Sequence, residues 1–175
     1  MLRDLHLDKL TMELKDCQYI TESQCFRNMT SLSLEGCKIN SDGVKSITSN
    51  KSKLKDLSLA ENGIGNEGCH FIANSPNMIH LETLNLRFNG ITTDGCESLA
   101  NSSFLPRLSF LNMEGTYTRK GIEMLKSNNH FDECFVIMVD DRYENNSENE
   151  YGHHTDSGSD EKSGSERELT ESDED

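Results

Sequence analysis

Few residues in this chain have the types and spacing that chemistry requires, and each such group has a plainer reading beside it. Gly63-Ile-Gly65-Asn-Glu-Gly68 reads G-x-G-x-x-G, the spacing that lets a tight turn bring backbone N–H groups against a pyrophosphate between a strand and a helix. His6 stands between Asp4 and Asp8, an imidazole next to two carboxylates, yet no nucleophile or metal-ligand spacing accompanies it. His153-His154 falls in a strongly hydrophilic stretch and is read as incidental. The six cysteines include no Cys-x-x-Cys pair, so neither zinc nor a redox dithiol is indicated. Asn28, Asn50, Asn101 and Asn145 open glycosylation triplets; in a chain this rich in Asn and Ser, with no signal-peptide pattern at its start, they are read as chance. Ser147, Ser157, Ser163, Ser165, Thr170 and Ser172 each precede an acid by three residues. That spacing resembles sites for acidophilic kinases, and phosphate there would deepen an already negative charge.

The elements that must position these residues are repetitive. Leu81, Leu84, Leu86 and Asn89, followed by Gly95, Cys96 and Leu99, set a template that recurs. Upstream it is met by Leu54, Leu57, Leu59, Asn62, Gly68, Cys69 and Ile72, and by Met29, Leu32, Leu34, Cys37, Gly43, Val44 and Ile47. Degenerate copies begin at Leu2 and Leu108. Starts at 2, 29, 54, 81 and 108 give periods of 27, 25, 27 and 27 residues, the range of stacked solenoid units. Gly68 thereby loses its claim as a nucleotide glycine, because Gly43, Gly95 and Gly121 hold the same repeat position. No cofactor is expected.

These motifs resemble leucine-rich repeats, specifically the long ribonuclease-inhibitor-like kind with a helix in every repeat, over about residues 2 to 139. The resemblance implies an α/β fold: a short right-handed horseshoe arc with a parallel β-sheet on its concave face and helices on its convex face. The residues agree. In each copy the hydrophobic period switches from two to about 3.6, a strand handing over to a helix. Ile39, Ile64 and Ile91 should point from the turn into the core. Thr93-Asp94, with Ser41-Asp42 and Asn66-Glu67 in the same place, should cap and charge the helix starts. Asn62 and Asn89 are expected to form a ladder of backbone-bonding side chains, with Cys37 filling one rung and Leu10 and Thr116 letting it fade at both ends. Cys17, Cys69 and Cys96 share the first buried helix position, so they serve as small hydrophobes and favour a reducing compartment. The cytoplasm is the expected location, with the nucleus as the alternative.

The two ends differ in kind. Phe131, Cys134, Val136 and Val139 read as a degenerate closing strand within residues 131–139. At the other end the first strand starts with no cap before it, and an uncovered apolar edge invites association. The chain is therefore expected to be a piece of a longer array or to associate through its first repeat. Residues 1–139 carry 17 acidic and 14 basic residues, and residues 140–175 carry 14 and 3, so the tail holds −11 of the net −14. With Tyr143, Tyr151 and Leu169 as its only sizeable apolar side chains, the tail cannot offset its ordering entropy and is expected to be disordered. A chain this acidic repels phosphates, so no nucleic-acid partner is expected. No apolar run approaches a membrane span.

The variable strand positions should line the concave surface. The third position reads Asp4, Ser31, Asp56, Thr83, Phe110; the fifth His6, Ser33, Ser58, Asn85, Asn112. The seventh reads Asp8, Glu35, Ala60, Arg87, Glu114 and the eighth Lys9, Gly36, Glu61, Phe88, Gly115. Aromatics and arginine are common interface anchors, so the candidate partner-binding patch is Asn85, Arg87, Phe88, Phe110, Asn112 and Glu114. Phe88 has a second reading, as local packing over the edge of the ladder. No catalytic or metal-ligating constellation emerges. The expected function is a non-enzymatic module that binds another protein on its concave face. The alternatives are a chaperone or inhibitor of histones or other basic proteins acting through the acidic tail, and a regulator like Ran GTPase-activating proteins, which join a larger number of such repeats to an acidic tail.

Overall fold

In the computed structural model, residues 2–116, 118–128, 131 and 134–137 are described. Strands and helices alternate: β1 (Asp4–His6), α1 (Leu14–Glu22), β2 (Ser31–Ser33), α2 (Ser41–Ser49), β3 (Asp56–Ser58), α3 (Gly65–Ala73), β4 (Thr83–Asn85), α4 (Thr93–Ala100), β5 (Phe110–Asn112), α5 (Arg119–Ser127) and β6 (Phe135–Ile137). The strands form one parallel sheet in sequence order, β1 to β6. The register aligns the repeats residue for residue, so Leu5, Leu32, Leu57, Leu84, Leu111 and Val136 make a single column.

That column is the sheet's contribution to the core. Short strands alternate inward leucine with outward polar residue, so only one face needs covering, and the helices cover it with Val44, Ile47, Cys69, Ile72, Cys96 and Leu99. Leu32, Leu57, Leu84 and Leu111 are almost fully enclosed; each such burial is worth about 1.5–3 kcal/mol. Ile39, Ile64 and Ile91 also turn inward. The repeat glycine explains how closely helix and turn approach. A Cβ on Gly43 would fall 2.5 Å from Ile39 Cγ2, one on Gly68 2.6 Å from Ile64 Cβ, and one on Gly95 2.6 Å from Ile91 Cγ2.

The asparagine ladder is present. Asn89 Oδ1 accepts from the backbone N–H groups of Asn62, Gly63 and Ile64, while its amide donates to the carbonyls of Leu59, Leu86 and Arg87. Asn62 does the same one repeat earlier, bonding Ile39 N and the carbonyls of Leu34, Leu59 and Ala60. Cys37 keeps one rung, its thiol donating to Leu7 O at 2.9 Å. A second ladder was not anticipated: Ser75 Oγ donates to Thr48 O and Ser102 Oγ to Ala73 O, both at 2.6 Å, and Asn128 Nδ2 donates to Ala100 O. Each ties the end of one helix to the return segment of the next repeat.

Helix capping departs from expectation. Thr93 is the first residue of α4 and does not cap it; its hydroxyl meets that of Thr118. Asn66, inside the first turn of α3, reaches forward instead and accepts from Thr92 N and Gly95 N, so one repeat caps the next. For α2 the cap is Asn40, one residue before Ser41, accepting from Gly43 N at 3.1 Å. Asp94, Asp42 and Glu67 do occupy first turns, where negative charge is favoured.

At the closing end Val136 faces the core, Phe131 is buried and Phe135 points outward; Val139 and the acidic stretch 140–175 lie outside the described residues. At the first repeat Leu2, Leu10, Leu14 and Tyr19 are all exposed. No helix among the described residues is long and apolar enough to cross a membrane.

Candidate functional site

The outward residues of β4, β5 and β6 converge because the register leaves no offset. Asn85 stands opposite Asn112, Thr83 opposite Phe110, and Phe110 opposite Phe135. Phe110 and Phe135 stack at 6.0 Å between centroids with 23° between planes. Such a stacked pair is worth about 0.5–1.5 kcal/mol beyond its buried area. Phe135 remains 66% exposed, a large cost to leave uncovered.

Asn85 and Asn112 are placed on this face, but each spends its side-chain oxygen on the turn behind it, accepting from Arg87 N and Glu114 N. They set the rim rather than stand free. Arg87 reaches back across Ala60, the small seventh-position residue of the repeat before, to Glu35 at 3.4 Å, and it also bonds Glu61. Its guanidinium lies 4.9 Å from the Phe88 ring centroid, a cation–π distance. Glu114 is half-buried next to this group.

Phe88 packs locally and also keeps an exposed face. Its ring lies over Gly115, where an added Cβ would come 2.2 Å from Phe88 Cδ1, and it is still 44% exposed. The eighth position is left-handed in every repeat: Lys9 φ 62, Gly36 φ 66, Glu61 φ 57, Phe88 φ 52 and Gly115 φ 80. Glycine adopts this freely, whereas other residues pay about 1–2 kcal/mol. Glu61 and Phe88 are held there at that cost, next to each other on the rim.

Sequence reasoning missed Phe135, Glu35 and Glu61 as members of this patch. Extending the third-position row one strand further would have found Phe135. The two glutamates required knowing how far Arg87 reaches. Toward β1 the face is different: Asp8 accepts from the Ser33 hydroxyl and Glu35 N, and Asp4 accepts from the Thr30 hydroxyl. His6 stands between them, exposed. Among the described residues no group of three or more His, Cys, Asp or Glu is arranged to hold a metal. The glycines of the G-x-G-x-x-G run serve the turn: Gly63 and Gly65 take positive φ, and Gly68 packs on Ile64. Two clefts of about 240 and 320 Å³ lie elsewhere, beside α1 and α2.

A parallel sheet built from strand–turn–helix units in strict register, with Cys37, Asn62 and Asn89 as successive rungs in its turns, defines a repeat solenoid. Residues 27–100 hold leucine-rich repeats: the family model described as Leucine Rich repeat matches residues 27–47, 50–73 and 77–100. No curated protein matches the chain. Repeats of this family suggest a protein–protein interaction module.

Proposed function

We propose that the chain is a non-enzymatic binding protein whose sheet face, the concave one if the arc curves as such repeats do, holds another protein across β4, β5 and β6. The Phe110–Phe135 stack carries this reading: a half-buried and an exposed aromatic ring are held side by side on the outward face of a sheet whose other strand positions there are mostly small or polar. Interface anchors are typically rigid aromatics and arginines with a polar surround, and Phe88, Arg87, Asn85, Asn112 and Glu114 supply that surround. The period of 25–27 residues with an α-helix in each full repeat supports the ribonuclease-inhibitor-like subclass. Cysteines packed as core residues at Cys17, Cys37, Cys69 and Cys96 support a reducing compartment, the cytoplasm or nucleus.

The test is affinity capture with the full chain and a Phe110→Ser/Phe135→Ser variant, matched for folding by circular dichroism. Partners held by the sheet face are lost with the variant. Partners retained equally by both at low salt and released from both at moderate salt belong to the acidic tail, the reading that the −11 of residues 140–175 favours.

A further inference from the structure

The sheet face is divided by charge and shape. Toward β1 to β3 its outward residues are mostly small or acidic: Ser31, Ser33 and Ser58 form a low floor, with Asp4, Asp8 and Asp56 exposed beside it and His6 and Lys9 at the β1 edge. Toward β5 and β6 the floor rises into the Phe110–Phe135 stack. Arg87 lies on the boundary, and its charge is already answered by Glu35 and Glu61. Whatever lies along this face therefore meets an apolar shelf at one end and exposed carboxylates, with no ion pair to Asp8 or Asp56 among the described residues, at the other.

We propose that the occupant is a basic segment of another protein, with one large aromatic or aliphatic side chain seated against Phe110 and Phe135 and Lys or Arg side chains reaching Asp56 and Asp8. The proposal rests on the sheet-face reading and names its partner's chemistry. Complementary charge selects the partner and repels acidic competitors. Strand spacing sets the pattern. Neighbouring strands lie about 4.8 Å apart and an extended chain advances about 3.3 Å per residue. From the stack to β3 is then roughly four residues, and to β1 roughly seven. The segment reads as an apolar anchor followed by cations about four and about seven positions along.

The experiment uses a phage-displayed library of random twelve-residue peptides, selected on the full chain. A synthetic peptide of the enriched sequence is then titrated against the parent, Phe110→Ser/Phe135→Ser and Asp8→Asn/Asp56→Asn, all with residues 140–175 intact. The expected result is a sequence with an anchor and spaced cations, bound at least tenfold more weakly by each double variant. Failure to enrich any sequence, or an enriched sequence without cations, overturns the proposal. Equal binding to all three proteins also overturns it, since the unchanged tail then accounts for capture. A neutral or acidic peptide lost only with Phe110→Ser/Phe135→Ser overturns the basic partner while leaving the sheet-face reading standing.

Discussion

The fourth repeat and the first are written on one template, yet they are held very differently. In the fourth, Leu84 and Leu86 are fully enclosed and Asn89 answers six backbone groups across two repeats. In the first, Leu5 and Leu7 are only half-buried, Leu10 stands where the asparagine would, and Leu2, Leu10, Leu14 and Tyr19 face outward. The difference comes from neighbours and not from the repeat itself, because each unit can bury its apolar edge only against the next. Stability in such an array is thus a property of interfaces between repeats.

The largest expected break in that contrast is Leu84→Ala, at about 3–5 kcal/mol for a fully enclosed leucine. Leu5→Ala, on the open side, should lose less than half as much. Urea midpoints of the two variants check this, and equal losses would mean that the first repeat is covered in solution. Next comes the ladder. Asn89→Ala strands several buried backbone groups, each costing about 1–3 kcal/mol, whereas Cys37→Ala gives up a weak thiol donor shared between Leu7 O and Glu35 O and should cost about 1 kcal/mol. A reversal of that order in thermal melts would remove the ladder from the account.

Phe88→Gly separates stability from binding. Relief of left-handed strain should leave the melting temperature unchanged or slightly raised while partner capture falls; a clear drop in stability would mean that the ring is chiefly packing. Gly115→Ala should lower the melting temperature and partner capture together, because a methyl there collides with that ring and sits on left-handed backbone.

A separate effect is in alkali. Burial pushes the Cys96 thiol up to about 11, and Cys69 is raised further by burial and by Cys96 beside it. These groups stay protonated in the fold while the unfolded chain ionises near 9, so stability holds below pH 9 and declines as pH rises from there toward 11. Denaturation midpoints between pH 7 and 10.5 should show the decline, and Cys96→Ala should reduce it. Exposed Cys25 should meanwhile react with a thiol reagent at neutral pH far ahead of Cys69 and Cys96.

What could be read from the residues alone was whatever recurs at the repeat period. The leucine column, the turn isoleucines and the Asn62–Asn89 ladder repeat at fixed offsets, so periodicity exposes them. The caps are not legible in this way: at α2 the capping residue is Asn40, one position before Ser41, and at α4 it is Asn66 of the preceding repeat. Ser75 and Ser102 looked like loop residues for the same reason; their partners are carbonyls 27 and 29 residues earlier. On the sheet face, Asn85, Arg87, Phe110, Asn112 and Glu114 follow from alternation along the strand and its extension, and Phe88 from the eighth-position row of the repeat. The pairing of Arg87 with Glu35 did not, since it skips a whole repeat and depends on Ala60 leaving the way open.

The serine and asparagine ties between one helix end and the next return segment have an implication for how such a chain can change length. Because every bond runs from a unit to the one before it, cutting out one complete period, residues 81 to 107, brings equivalent donors and acceptors back into phase. The shortened coil should still melt cooperatively, yet it would lack Arg87 and Phe88. Copy number can then drift without unravelling the scaffold, and what a given copy recognises can be gained or discarded as a cassette.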